Sequence, residues 1–469
     1  MELKNHIIHG VKWGIISKIF LFIISILQLV LVVNLIGPEA YGTMAILTVI
    51  MTFSTLFIDM GFSKIIIHKQ DSLSDLQLNT LYWSNILLSL IIYLIIFILS
   101  GLIQSFYSEY KNLDFYICLI SLSFIISSFG IQYNALLQKE FKFKEMEIII
   151  FLGALSNFIV SYIMALMGYG IMSLISANLF LSFIVAFFSF IYGRKIHSIK
   201  FEYDLNSIKD LFSFGTYYFL AKVTGTFIGA IDTILIGKFF SPEILGIYNI
   251  AKQVIIKVTG QFTPLVQKIL YPSFAKIQKE NLTMENLFQK TIEISSFIII
   301  LLSTYLFVFA DDIFALFFDN KWHEAIVILK VLIFGIALNS IGSSSGSLIL
   351  AVGKVKLNFY WALFRLFFTF IFIYLASLTL SIENVAIVSS LSVILFTVIG
   401  KKYILDKIFK VSYLEYFKPI FTYLIISIFI VIILQFIEIN NQYFRVLFDF
   451  FVISIIYLGV TYFFKLNAL

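Results

Sequence analysis

The sequence predicts an all-α polytopic membrane protein of about 14 transmembrane helices, built as two parallel six-helix lobes plus a C-terminal helix pair. Three observations lead to this class. Of the 469 residues, 60% are hydrophobic and only 13% charged, with a mean hydropathy of +1.00, a composition far from that of soluble globular chains. Apolar runs of about 20 residues, each enough for the ~30 Å hydrocarbon core of a bilayer, recur along the chain. Finally, two stretches are weak copies of each other: Lys18, Gln28, Pro38-Glu39 and Gly42 recur as Lys222, Asp232, Pro242-Glu243 and Gly246, each 204 residues later.

The first lobe, residues 1–200, takes the runs near 12–36, 43–61, 79–101, 114–137, 148–168 and 171–192. Its opening run is too long for the apolar region of a cleavable signal and is followed by no small-residue cleavage site, so it is expected to stay in the protein. The second lobe, residues 201–410, takes the runs near 213–237, 247–272, 291–313, 326–351, 357–379 and 384–400. Six spans precede the second copy. An even number makes the two copies cross in the same direction, which relates the lobes by an axis along the membrane normal. A second repeat agrees: Ala135-Leu136-Leu137 through Phe141-Lys142-Phe143-Lys144 resembles Ser347-Leu348-Ile349 through Gly353-Lys354-Val355-Lys356, at an offset of 212. The polar stretch from Arg194 to Asp210 joins the lobes. Residues 411–469 hold two further spans near 418–437 and 443–464, which have no counterpart in the repeat.

Cations orient the chain. With the N-terminus inside, 22 Lys and Arg fall in cytoplasmic segments against four outside (Lys111, Lys238, Lys321 and Arg445), a bias that places both termini in the cytoplasm. The net charge of +6 and the pI near 9.0 are thus mostly a topology signal, and no nucleic-acid partner is implied. The single cysteine, Cys118, lies within a span, which excludes an intramolecular disulfide and a Cys-rich metal site. Outside loops run to roughly 15 residues at most, too short for a catalytic domain of their own. No Walker A, H-E-x-x-H or C-x-x-C sequence occurs, and the five histidines lack ligand spacing, so no cofactor and no metal are expected. Asp311-Asp312 reads as a solvated interfacial pair.

The informative chemistry lies inside the bilayer. Lys18, Lys222, Lys252, Lys257 and Arg365 fall within spans, and at ~3 kcal/mol each they would be costly facing lipid. They are expected to face water or an anion. In span eight, Asn249, Gln253, Lys257, Gly260, Gln261 and Pro264 share one helix face at spacings of three and four, with Lys252 beside it. Milder stripes are Thr48, Thr52, Thr55 and Asp59 in span two, and Asn358, Arg365 and Thr369 in span eleven. Plainer readings stand beside these. Lys18 and Lys252 can snorkel to the headgroups, Lys257 and Arg365 can be structural ion pairs, and Thr stripes are commonly helix packing. Asp232, which replaces Gln28 of the first copy, is either a salt-bridge partner for a cation or a protonatable coupling site. Two similar membrane halves holding polar groups at matched depths describe a transporter with its substrate site between the halves.

Several segments carry a family resemblance: Gly37-Pro38-Glu39-Ala40-Tyr41-Gly42, Asp59-Met60-Gly61, Leu136 through Phe143, Tyr271-Pro272-Ser273-Phe274-Ala275-Lys276-Ile277-Gln278, and Lys321-Trp322. In this order they resemble the oligosaccharide flippases of the multidrug/oligosaccharidyl-lipid/polysaccharide exporter superfamily, over about residues 9–400. The resemblance implies two six-helix bundles around a cavity that opens alternately to each side. It implies an undecaprenyl-diphosphate-linked oligosaccharide as cargo, moved from the inner to the outer leaflet of a bacterial inner membrane, with membrane lipids around it; a proton or sodium counter-ion is expected from Asp232, and a polysaccharide polymerase is an expected partner. No covalent chemistry is implied. The candidate substrate-binding residues, Lys18, Lys222, Lys252, Gln253, Lys257, Gln261 and Arg365, come from depth and periodicity alone, as does Asp232 as the coupling residue. A diphosphate leaving water needs cations where it crosses. A multidrug exporter on the same fold would favour an acidic cavity, and a polysaccharide polymerase or ligase would need a large outside loop; the sequence has neither feature.

Overall fold

A computed structural model describes residues 17–68, 73–208, 216–260, 281–408, 412–437 and 442–463. These are overwhelmingly helical, and no strand occurs among the described residues. Among the described residues, twelve helices are long and apolar enough to cross a membrane. The first of them, Ser17–Asp59, is 43 residues long and accounts for two expected spans. It breaks at Gly37, whose φ of 82° and ψ of 171° are non-helical. Only glycine takes that conformation without strain, and Pro38 behind it supplies no N–H to continue the ladder. Pro242–Thr259, an 18-residue helix, covers the start of the expected eighth span and carries Lys252 and Lys257; it is not among the twelve, and the rest of that expected span lies outside the described residues.

The outer faces of these helices are apolar. Ile98, Leu102, Phe367 and Ile455 are among many large hydrophobic side chains left more than half exposed, the arrangement lipid requires and water forbids. Many polar side chains sit inside instead, with Asn79, Ser121, Gln132 and Ser296 fully buried, whereas the Thr48, Thr52 and Thr55 stripe is exposed.

The chain divides into two units, residues 1–226 with 236–246, and residues 227–235 with 247–469. In the first unit the two copies of the repeat motif meet. A Cβ on Gly42 would lie 1.8 Å from the Pro242 carbonyl oxygen, and a Cβ on Gly246 would lie 2.0 Å from that of Pro38. The contact is reciprocal, and it accounts physically for glycine at both positions. The polar stretch after the sixth span is strapped across the start of the helix Asp75–Phe106. His197 Nε2 lies 3.0 Å from Asn79 Oδ1, the Lys200 N–H donates to the same oxygen, and Asn79 Nδ2 donates to Glu202. Trp83 Nε1 donates to the Lys200 carbonyl, and the Asp204 N–H donates to Thr80 Oγ1.

In the second unit the C-terminal pair, Tyr413–Gln435 and Gln442–Phe463, packs on the helix Asn281–Val308 through Phe288, Tyr416, Tyr423 and Tyr457. Thr304 donates to Ser427 at 2.7 Å, and the Tyr457 hydroxyl donates to the Phe297 carbonyl at 3.0 Å. Arg445 pairs with Asp312, and Lys330 with Asp311. The expectation of a solvated Asp311-Asp312 pair therefore fails for Asp312, which is buried because a cation from the last helix reaches it.

The second repeat also has a structural form. Phe141 and Gly353, 212 residues apart, both have positive φ, 53° and 74°. Each ends its helix with the same pair of hydrogen bonds: Glu140 N–H to Leu136 and Lys142 N–H to Leu137 in one, Val352 N–H to Leu348 and Lys354 N–H to Ile349 in the other. This is the Schellman arrangement, in which a left-handed residue lets the last carbonyls find donors.

Candidate functional site

A cavity of about 140 Å³ opens inside the second unit. Asp232 comes from the helix Thr216–Phe239 and Lys252 from the helix Pro242–Thr259, where Pro242 provides the favoured first-turn proline and Glu243 an acidic first turn. Lys252 Nζ lies 2.6 Å from Asp232 Oδ2 and 2.8 Å from Oδ1, and it also donates to the Gly229 carbonyl at 3.0 Å. Tyr248, one helical turn before Lys252, donates its hydroxyl to Asp232 Oδ2 at 3.0 Å. The Thr233 N–H completes the shell on Oδ1 at 2.7 Å. Both carboxylate oxygens are thus engaged, as a buried charge requires.

Opposite charge is scarcer around Arg365. It stands on the helix Val355–Ser377, one turn before Thr369, and lines the cavity with it. Its guanidinium carbon is 6.0 Å from the Phe396 ring centre, and Nε is buried without a hydrogen-bond partner among the described residues. The helix Ile382–Tyr403 supplies Ser389, Ser390, Ser392 and Phe396, and the helix Ala325–Ala351 supplies Asn339. These two helices approach closely because Gly335 has no side chain: a Cβ there would lie 2.7 Å from Ser390 Cα. Ser390 Oγ in turn donates to the Val331 carbonyl at 2.9 Å.

Three of the sequence-nominated residues, Asp232, Lys252 and Arg365, line this one cavity. Lys257 and Gln253 lie on the Lys252 helix, half-buried and outside the cavity lining. Lys18 is half-buried and Lys222 exposed in the first unit. Gln261 lies outside the described residues. Lys252 meets a carboxylate rather than an open anion site, so the salt-bridge reading of Asp232 describes its position in this structure. Tyr248, Ser389 and Asn339 were not singled out in the sequence. The spacing of four from Tyr248 to Lys252 was the available signal for the first.

At the positions 204 residues earlier the chain has Gln28 for Asp232 and Thr48 for Lys252. Gln28 donates to Asn157 at 2.6 Å and opens a π-helical turn, Gln28–Val32. The first copy therefore holds a neutral hydrogen bond where the second holds an ion pair.

Twelve membrane-spanning helices among the described residues, an internal repeat and a charged cavity inside a helical unit define a multi-pass membrane protein of the transporter type. The chain belongs to the polysaccharide biosynthesis protein family, whose profile matches residues 31–327. It is 29% identical over 420 residues to the teichuronic acid biosynthesis protein TuaB of Bacillus subtilis (strain 168), covering 89% of this chain and 86% of that one. It is 26% identical over 382 residues to the lipopolysaccharide biosynthesis protein WzxC of Escherichia coli (strain K12), covering 80% and 75%. Among solved structures, the lipid II flippase MurJ in an inward closed conformation superposes with a TM-score of 0.80 at 15% identity, over 98% of this chain and 99% of that one. An inward-facing multidrug resistance MATE family transporter gives 0.65 at 16% identity, over 82% and 94%. At these identities the two structures establish a shared fold and nothing more specific.

Proposed function

We propose that the protein is a flippase. It carries undecaprenyl-diphosphate-linked oligosaccharide repeat units from the inner to the outer leaflet of the bacterial cytoplasmic membrane by alternating access, for surface polysaccharide biosynthesis. Family membership carries this reading, joined by relatives named for teichuronic acid and lipopolysaccharide biosynthesis and by a fold shared with a lipid-carrier flippase. Both termini lie in the cytoplasm, supported by the 22-to-4 cation bias. No covalent step is needed. Cations within the spans supply the electrostatic part: Lys18, Lys222, Lys257 and Arg365 offer positive charge to the anionic groups of a cargo that must leave water.

Coupling at Asp232 takes a specific form in this reading. A proton or sodium ion reaches the carboxylate only by displacing the Lys252 ammonium, so the ion and the lysine compete, and states differing in that contact are biased by the gradient. The drug-exporter alternative has less support, because the carboxylate nominated inside the second unit is already occupied by a lysine.

Deletion in the native host tests the proposal. Surface polysaccharide is expected to be lost while lipid-linked repeat units accumulate on the cytoplasmic side. Normal surface glycan with no accumulation would overturn it.

A further inference from the structure

The cavity of the second unit holds more positive charge than its own carboxylate answers. Asp232 is matched by Lys252, which leaves Arg365 as the uncompensated charge in the lining. Arg365 Nε is buried with no hydrogen-bond partner among the described residues. A buried guanidinium donor left open beside a polar cavity marks the place of an absent acceptor. One guanidinium in excess calls for one negative charge, and its planar fork of N–H groups matches a carboxylate in two parallel hydrogen bonds.

The rest of the lining narrows the ligand. Asn339, Thr369 and Ser392 present amide and hydroxyl groups suited to sugar hydroxyls, and Phe396 offers an apolar ring beside the guanidinium. A volume of about 140 Å³ falls below the roughly 300 Å³ at which drug-sized pockets begin. It is too small for a whole oligosaccharide and suits one small polar unit. A diphosphate would bring more negative charge than the cavity balances.

Resting on the flippase reading, we propose that this cavity receives an acidic sugar of the cargo, with Arg365 holding its carboxylate. Arg365 is then a specificity-determining residue for uronic-acid-containing repeat units, and the diphosphate is left to other cations.

The purified full-length chain in detergent, titrated separately with sodium glucuronate, glucose and inorganic phosphate and followed by thermal unfolding, tests this. Glucuronate is expected to raise the unfolding temperature, with glucose and phosphate giving little shift. Arg365→Lys, which keeps the charge and loses the fork, and Arg365→Gln should each weaken glucuronate binding about tenfold or more, as befits a bidentate charge-assisted contact. Thr369→Val, which leaves every charge in place and removes one lining hydroxyl, should weaken it as well and guards against a fold defect in the Arg365 variants. Equal binding of glucose and glucuronate, preference for phosphate, or no binding to the wild-type chain would each overturn the proposal. Glycan export scored separately keeps the two readings apart. Export without uronate binding removes only the sugar-acid site, whereas uronate binding without export of any glycan removes only the flippase.

Discussion

Lys252 Nζ and Asp232 Oδ2 stand 2.6 Å apart in the second unit, while the matching positions of the first copy hold Thr48 and Gln28. An ion pair on two adjacent spans has thus been gained or kept on one side of an internal duplication only. Its two side chains are mostly buried, 18% and 12% exposed. Each partner is therefore held by the other rather than by solvent.

Removing one partner strands the other. Lys252→Met or Asp232→Asn alone should cost about 3–5 kcal/mol, as for other broken buried pairs, with the double variant recovering much of that loss. Thermal unfolding of the purified single and double variants measures the coupling, and strictly additive losses would mean the pair does not act as a unit. The same Asp232→Asn chain tests ion coupling in liposomes: gradient dependence should disappear while downhill movement persists. An unchanged response to the gradient would leave Asp232 a structural partner only.

The reciprocal contact between the repeat motifs makes a second expectation. Gly42→Ala places a methyl 1.8 Å from the Pro242 carbonyl, a backbone atom that cannot rotate away. A loss of about 1–3 kcal/mol is expected from this overpacking, read as a lower unfolding temperature or a lower yield in the membrane. Gly101→Ala, where nothing lies within 4 Å, serves as the control. Equal behaviour of the two variants would remove the contact as a determinant of stability.

Much of this architecture was legible in the sequence. The spans could be read because lipid demands about twenty apolar residues in a row, and the repeat because Gly, Pro and charged residues are rare enough in such runs to stand out. The Asp232–Lys252 pair was half legible: both residues were conspicuous, but they are 20 positions apart on two helices, and only a three-dimensional hairpin joins them. Ser389 and Asn339 were invisible, since a serine or asparagine in a span is usually packing. Lys257 was singled out for its depth, yet helix rotation carries it outside the cavity that Lys252 lines.

Phe141 and Gly353 occupy the same left-handed position in the two repeats, and only glycine does so without strain. Phe141→Gly should therefore stabilise the chain by about 1 kcal/mol, and Gly353→Phe should destabilise it by about 1–2 kcal/mol. Unfolding temperatures of the two variants, measured side by side, should move in opposite directions. A loss in Phe141→Gly would show that the ring's packing outweighs the backbone term.

The strap over Asp75–Phe106 carries a pH dependence. Burial pushes the His197 imidazole below its ordinary pKa, against the pull of the Asp75 carboxylate and with a smaller push from Lys200. A folded-state pKa below the unfolded one means that the unfolded chain takes up the proton first, so stability is lost as pH falls through the ordinary histidine range and is level above it. Unfolding temperature should decline from about pH 8 to about pH 5, and His197→Gln should flatten the part due to this residue. A wild-type profile matched by the variant would place the dependence elsewhere.

Movement of a lipid-linked glycan between leaflets tests the central claim most directly. The full-length protein is reconstituted into liposomes holding undecaprenyl-diphosphate oligosaccharide, and the fraction of glycan reached by an impermeant sugar-modifying enzyme added outside is followed over time. With protein present, the glycan initially protected in the inner leaflet is expected to become accessible while the vesicles stay sealed, and protein-free liposomes keep their protected half. A folded, correctly inserted chain that leaves that half protected, with and without an ion gradient, would contradict the assignment.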